Sequence, residues 1–141
     1  MKAALVNRTT FRVPRRVLLH DVRAAAAAIR RERPSLHLPG EITIVVVPDR
    51  ESARLNREFR GRSKPTNVLS FNYGSGGEIV IAPAVVRREA RAEGQPPSRR
   101  FRHMVVHGIL HLAGCHHETS RQAGQRFRRM ERELLTELGI L

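Results

Sequence analysis

The pattern of apolar and polar positions divides the first half of the chain into alternating strands and helices. Between residues 17 and 31 the apolar residues recur every three or four positions, which predicts a helix, and Pro34 follows its end. The run ITIVVV at residues 42–47 is apolar and rich in β-branched residues, as expected for a strand buried on both faces. A further helix is predicted to begin near Asp49 and to end at Gly61.

The remaining segments complete an α+β pattern. A weak first strand is predicted at residues 3–8, and the second half of the chain reads as two strands and three helices. Those five segments are a strand at 68–73, a strand at 78–81 after a glycine-rich turn, a helix from Pro83 to Gly94, a helix capped by Ser98, and a helix from Thr119 to about Leu138 with a capping box at Thr119 and Gln122. The order predicts one sheet covered by helices, in a single domain spanning residues 1–141.

Most of the candidate chemistry lies in the stretch HGILHLAGCHH, from His107 to His117. His107 and His111 are four residues apart in a helical segment, so their imidazoles project from the same face with Cβ atoms about 6 Å apart. Gly114 allows the helix to end and the chain to turn, so that His117 can return as a third ligand. Three imidazoles suit zinc, and three protein ligands leave a fourth position open, which is typical of catalytic sites.

Gly108 narrows the chemistry of this predicted metal site. Metalloproteases of the H-E-x-x-H kind have a glutamate immediately after the first histidine, as their general base. The glycine here makes peptidase activity the weaker hypothesis and leaves a metal-dependent hydrolase of another kind. Because glycine in a helix costs about 1 kcal/mol relative to alanine, Gly108 also predicts close approach by substrate or by neighbouring backbone.

The charge of the chain favours a polyanionic partner. The formal net charge is +13 and comes almost entirely from arginine, whose guanidinium binds phosphate well. A compositional bias and ordinary solvation of helix faces are the competing explanations. Aromatic residues make up only 4% of the chain, so a stacking platform for bases is not evident. The single cysteine, Cys115, excludes an intramolecular disulfide, and no signal peptide or membrane span is recognisable, so we expect a cytoplasmic protein.

The segment FRGRSKPTNVLSF at residues 59–71 is the candidate contact for an RNA backbone. It combines cationic side chains with hydroxyl and amide groups, which are the groups that commonly contact phosphate and sugar. Turn formation and solvation are the alternative roles for each residue. The predicted RNA-binding residues are Arg62, Lys64, Thr66, Asn67 and Ser70.

Three motifs together resemble the YbeY family of bacterial metal-dependent endoribonucleases, which act in ribosomal RNA maturation and ribosome quality control. The motifs are HMVVHGILHLAGCHH, FRGRSKPTNVLSF and GEIVIA, and the resemblance extends from about Ile42 to the last helix. It implies a small mixed sheet of about four strands flanked by about five helices, with a zincin-like histidine motif on one helix. It also implies a metal at the mouth of a basic cleft.

For individual residues, the resemblance implies one zinc ion per chain at His107, His111 and His117, and a functionally required arginine at Arg60. From the residues alone, a surface salt bridge with Glu51 or Glu58 is an equally good role for Arg60. His116 departs from the family pattern, which has aspartate there; it could act as an acid or base, replace a ligand, or face solvent. His103, one turn before His107, could line the cleft or be packed.

The function expected from the resemblance is a zinc-dependent endoribonuclease that prefers single strands and acts on the small-subunit 3′ end of ribosomal RNA. Its expected partners are ribosomal RNA and the small ribosomal subunit, with no evident DNA specificity and no membrane association. Attack by water and attack by the ribose 2′-hydroxyl both remain possible. The alternatives are a non-catalytic RNA or ribosome assembly factor with a structural metal, and another metal-dependent hydrolase. The sequence makes no prediction of oligomeric state.

Overall fold

In the computed structural model, which describes all of residues 1–141, four strands and five helices follow one another in the predicted order. This confirms the α+β fold and the predicted numbers of strands and helices. The elements are β1 (Lys2–Asn7), α1 (Arg15–Glu32), β2 (Glu41–Val46), α2 (Asp49–Arg60), β3 (Val68–Asn72), β4 (Gly76–Ile81), α3 (Pro83–Ala92), α4 (Pro97–Leu112) and α5 (Arg121–Glu137).

The sheet is mixed, with the strand order β1-β2-β4-β3. The strands β1, β2 and β4 are parallel to one another, and β3 pairs antiparallel with β4 at one edge. The central strands β2 and β4 are covered on both faces, which explains their continuous apolar runs. The edge strand β3 lies beside α4, so the sheet edge and the histidine helix form one side of the molecule.

The two faces of the sheet bury separate groups of side chains. On one face the core includes Ile44 and Ile79 and is continuous with buried residues of α1, α4 and α5. On the other face a small group of buried residues, including Val45 and Val80, packs with Leu55 of α2. Helix α4 contacts α1, α3, α5, β3 and β4, so the histidine motif is carried by the most enclosed helix of the domain. None of the helices is long and apolar enough to cross a membrane.

A buried carboxylate fixes α4 against α1. Asp21 of α1 is fully buried and accepts two hydrogen bonds from Arg102, at 2.8 Å from Nε and 3.1 Å from Nη2. The same guanidinium donates to the backbone oxygen of Leu138 at 3.2 Å. This bidentate pair therefore joins α1, α4 and the residue that follows α5 at one point.

Two of the predicted helix caps are wrong. Helix α4 begins at Pro97 after the extended Pro96, and no side chain caps it, because proline at the first position needs no partner for a backbone N–H. Helix α5 is capped by Ser120, one residue after the predicted Thr119, and its hydroxyl accepts from the backbone N–H of Ala123 at 3.0 Å. Ser120 has the extended backbone of a cap, and its hydroxyl is directed at the first turn of the helix.

Gly108 lets α4 lie close to the sheet. A Cβ at this position would be 2.8 Å from Cγ2 of Ile79 and 3.1 Å from Oγ of Ser70. The Ser70 hydroxyl also donates to the backbone oxygen of Gly108 at 3.1 Å. The predicted close approach is confirmed, but it is made by side chains of β3 and β4 rather than by substrate or backbone.

Candidate metal centre

The structure brings the three predicted histidine ligands together. One ligand atom from each of His107, His111 and His117 lies within 4.8 Å of the other two. The Nε2 atoms of His107 and His111 are 3.2 Å apart. Two nitrogens bound to one tetrahedral zinc ion at about 2.0–2.1 Å would lie about 3.3–3.4 Å apart. His117 reaches the other two because α4 ends at Leu112 and Gly114 turns the chain with a φ of 90°.

Phe127 of α5 forms a floor beneath these imidazoles. Its ring centroid lies 5.0 Å from those of His107 and His111 and 5.1 Å from that of His117. The side chain is only 2% exposed, so it excludes water from this side of the cluster. The apolar spacing of the last helix predicts that Phe127 is buried, but it does not show that the histidines are its neighbours.

Glu131 of α5 belongs to the candidate site, although no local sequence pattern indicates it. Its Oε2 lies 2.7 Å from Nδ1 of His107, and its Oε1 lies 3.2 Å from Nε2 of His103. Burial pushes the pKa of Glu131 upward, but the hydrogen bonds with His103 and His107 outweigh burial and hold the pKa at about 2. The ionised carboxylate can only accept, so His107 carries its proton on Nδ1 and directs the Nε2 lone pair toward His111.

His111 is neutral at physiological pH. Burial is the main cause that lowers the pKa of His111 to about 3, and electrostatic interaction with His107, His117, His116 and Arg60 lowers it further. A neutral imidazole is the form that binds a metal ion, so no proton has to be displaced from this ring at neutral pH. The nitrogen donors, the neutral His111 and the fixed tautomer of His107 all fit a bound metal ion, and the cluster could hold one.

Arg60 lies at the C-terminal end of α2 and faces the histidine cluster rather than an acidic partner. It lines a cavity of about 310 Å³ that also contains His111 and His116, which we call the central cavity. The alternative role, a salt bridge with Glu51 or Glu58, is wrong.

The two acidic residues are paired with other arginines. Glu58 accepts from Arg54 at 3.2 Å, and Glu51 lies 3.2 Å from Arg8 and 3.9 Å from Arg54. The guanidinium of Arg60 makes no ion pair, so its charge is free for a ligand.

The loop between α2 and β3 forms a second cavity, of about 590 Å³, which we call the loop cavity. It contains four of the five predicted RNA-binding residues, and Arg60 lines it as well as the central cavity. Those four are Arg62, Lys64, Thr66 and Asn67. The fifth, Ser70, lies apart from them, in the central cavity, and its hydroxyl is already donated to Gly108.

Buried polar residues of α2 hold this loop in place. The Ser52 hydroxyl donates to the backbone oxygen of Thr66 and accepts from its N–H, both at 2.9 Å. The side-chain amide of Asn56 donates to the backbone oxygen of Lys64 at 2.8 Å. Asn67 donates from its side chain to Glu89, so it also stabilises the loop. The loop is therefore shaped before any ligand binds, with the cationic groups of Arg62 and Lys64 free of ion pairs.

His116 and His103 occupy different positions around the cluster. His116 is exposed, lines the central cavity, and lies outside the group of three ligand atoms, with its ring centroid 5.6 Å from that of His111. His103 is half-buried between Glu131 and Arg100. It therefore belongs to the hydrogen-bonded support behind His107.

Comparison with known proteins extends the likeness beyond the motifs. A family model described as Endoribonuclease YbeY matches residues 7–139. The Endoribonuclease YbeY of Halorhodospira halophila is 44% identical over 112 residues, covering 72% of each chain. That of an Acidovorax species is 40% identical over 118 residues, covering 81% of this chain and 78% of its own. The solution structure of a Thermotoga maritima protein matches with a TM-score of 0.60 at 26% identity, covering 97% of this chain and 91% of its own.

Proposed function

The chain belongs to the YbeY family of endoribonucleases, and we propose that it is a zinc-dependent enzyme that cleaves single-stranded regions of ribosomal RNA. Within that role we propose maturation of the small-subunit 3′ end and ribosome quality control, with the small ribosomal subunit as partner and the cytoplasm as location. The observation that carries the proposal is that His111, one of three clustered imidazoles, lines the same cavity as the unpaired guanidinium of Arg60.

We propose that His107, His111 and His117 hold one zinc ion per chain. A zinc ion bound there supplies Lewis-acid chemistry and activates water at neutral pH. The contribution of the chain is to keep His111 neutral and His107 oriented. Burial keeps His111 unprotonated, and Glu131 holds His107 in the tautomer that has Nε2 free.

Phosphodiester cleavage also needs positive charge where negative charge accumulates on the phosphate. We assign this role to Arg60, because its guanidinium lines the cavity of His111, makes no ion pair and can bind two phosphate oxygens at once. We assign proton transfer to His116, because its exposed imidazole lines the same cavity. Both roles apply whether water or the ribose 2′-hydroxyl attacks phosphorus.

The loop cavity then binds the RNA backbone beside the reacting phosphate. Arg62 and Lys64 supply charge, and Thr66 and Asn67 line the cavity next to them. Ser70 contributes through the wall of the central cavity that it shares with Arg60. Such contacts position the strand without reading its sequence, so target choice must come from RNA shape and ribosomal context.

The test is cleavage of a labelled single-stranded RNA by zinc-loaded wild type, His111→Ala, Arg60→Ala and the matched control Arg57→Ala. Arg57 lies on the same helix, is exposed and makes no ion pair. We expect His111→Ala and Arg60→Ala to abolish cleavage while the circular dichroism spectrum stays unchanged, and Arg57→Ala to remain active. Duplex RNA and DNA should not be cleaved.

Cleavage that is equal in His111→Ala, or unaffected by chelation and zinc addition, would contradict the enzymatic role. RNA binding without any zinc-restored cleavage would instead support an assembly factor whose metal is structural. Full activity of Arg60→Ala would remove only the assigned role of Arg60.

A further inference from the structure

A third cavity adjoins the histidine cluster and shares no lining residue with the loop cavity, and we call it the distal pocket. It has a volume of about 320 Å³, within the range of small-ligand sites. It is formed by the segment after α1, the turn after α4 and the first half of α5. Its lining residues are Arg33, Ser35, Leu36, Gly114, Cys115, His116, Thr119, Ala123, Arg126, Phe127 and Met130.

The distal pocket combines an apolar floor with a cationic rim. Leu36 and Met130 are half-buried and form part of the floor. Arg126 is exposed on the rim and makes no hydrogen bond or ion pair, and Arg33 has only a 3.4 Å contact with Glu133. No carboxylate lines the pocket, so nothing in its wall repels an anionic strand.

This composition distinguishes the distal pocket from the other openings on the surface. The loop cavity is lined by Glu89 and Glu118 as well as by its cations. The opening around the exposed Phe59 and Tyr73, on the other face of the sheet, includes Glu78. Among these openings, only the distal pocket combines an apolar floor and cationic side chains with a lining that contains no acidic residue.

The distal pocket adjoins the central cavity. Gly114 and His116 line both the distal pocket and the central cavity. Arg60 and Glu118 line both the central cavity and the loop cavity. The three cavities are therefore neighbours along the surface, with the central cavity adjoining both the loop cavity and the distal pocket.

We propose that the distal pocket binds an unpaired nucleobase of the RNA strand whose phosphate lies at Arg60, a proposal that rests on the proposed endoribonuclease function. A base has flat apolar faces and a polar edge. The apolar floor can pack against the faces of the base, and the hydroxyls of Ser35 and Thr119 can form hydrogen bonds with its edge. Arg126 can form an ion pair with the adjoining phosphate. A base in a duplex is stacked and paired and cannot enter, which gives a physical reason for single-strand preference.

The test measures binding of labelled single-stranded oligoribonucleotides, each carrying one abasic nucleotide, to the zinc-loaded protein by fluorescence anisotropy. Gels confirm that the RNA stays intact at low temperature. For wild type we expect one abasic position to weaken binding about tenfold while the others have little effect. In Met130→Ala the same abasic position should lower RNA affinity no more than about twofold, because the contact between the base and the pocket floor is already weakened.

Arg126→Ala and Arg132→Ala form a matched pair on the same helix. Both side chains are exposed and unpaired, but Arg132 does not line the pocket. We expect Arg126→Ala to weaken binding of intact RNA several-fold more than Arg132→Ala does. Melting temperatures of all variants verify that each is folded.

Equal losses of RNA affinity at every abasic position, or equal effects of the two arginine substitutions on RNA affinity, would overturn the proposal. These are the results expected if a protein segment, and not a base, occupies the pocket. Failure of this proposal and failure of the proposed function are separable. Cleavage by wild type without a position-specific abasic effect would overturn the pocket alone. A position-specific effect without cleavage would support the pocket and contradict the enzyme.

Discussion

Replacement of Glu131 by alanine should weaken zinc binding although Glu131 is not one of the three ligands. Its carboxylate accepts at 2.7 Å from Nδ1 of His107 and lies 3.2 Å from Nε2 of His103. Without it, the Nδ1 proton of His107 loses its partner, and the ring can adopt the other tautomer or rotate away from His111. The substitution therefore acts on the orientation and basicity of a ligand.

The expected loss is about 10- to 100-fold in zinc affinity, as is usual when the partner of a ligand imidazole is removed. At about 1.4 kcal/mol per factor of ten, this corresponds to about 1.4–2.8 kcal/mol. Glu131→Gln should lie between wild type and Glu131→Ala, because the glutamine oxygen can still accept from His107 but carries no charge. The same difference should appear in the stabilisation of the fold by zinc, since binding to the native state alone shifts the unfolding equilibrium.

Zinc affinity is measured by competition with a chromophoric chelator, and zinc-dependent stabilisation by thermal unfolding with and without the metal. Glu133→Ala is the matched control, because Glu133 lies on the same helix and has only an exposed 3.4 Å contact with Arg33. We expect that control to bind zinc as wild type does. Unchanged affinity in Glu131→Ala, with the apo protein folded, would refute the reasoning that the carboxylate orients His107.

Three further predictions concern the framework of the site. Asp21→Asn should lower the free energy of unfolding, measured in urea, by about 3 kcal/mol. This is the low end for a broken buried ion pair, because the side chain of Arg102 is 22% exposed. A loss below about 0.5 kcal/mol would contradict this. Gly108→Ala should lower the free energy of unfolding by about 1–3 kcal/mol, although alanine has the better helix propensity, because the added Cβ is too close to side chains of the sheet. A raised melting temperature would show that the added Cβ causes no overpacking. Ser120→Ala should cost about 1 kcal/mol of unfolding free energy, whereas Thr119→Ala should cost little, and the reverse order would show that the wrong cap is assigned.

The features predicted correctly from the sequence are those that depend on residues close together in the chain. His107 and His111 face the same way because the geometry of a helix places residues four apart side by side. Gly61 ends α2 with a φ of 69°, a conformation that glycine adopts without steric cost. The buried strand at residues 42–47 differs from β2 by a single residue at each end.

Features that depend on distant residues could not be read from local patterns. Glu131 is one of several charged residues on α5, and only the packing of α5 against α4 selects it as the partner of His107. The sequence left a salt bridge with Glu51 or Glu58 open for Arg60, and only the structure shows that Arg8 and Arg54 occupy those carboxylates instead. Groups this far apart in sequence meet only in the folded chain.

The sequence by itself determined which histidines could form a cluster and predicted a metal-dependent hydrolase, because residue type and helical spacing are local properties. Only the tertiary structure decided the proton position on His107, the absence of an ion pair at Arg60 and the adjacency of the three cavities beside the histidines. These depend on which side chains from separate elements come within hydrogen-bonding distance, and that is decided by the packing of α2, α4 and α5 around one edge of the sheet.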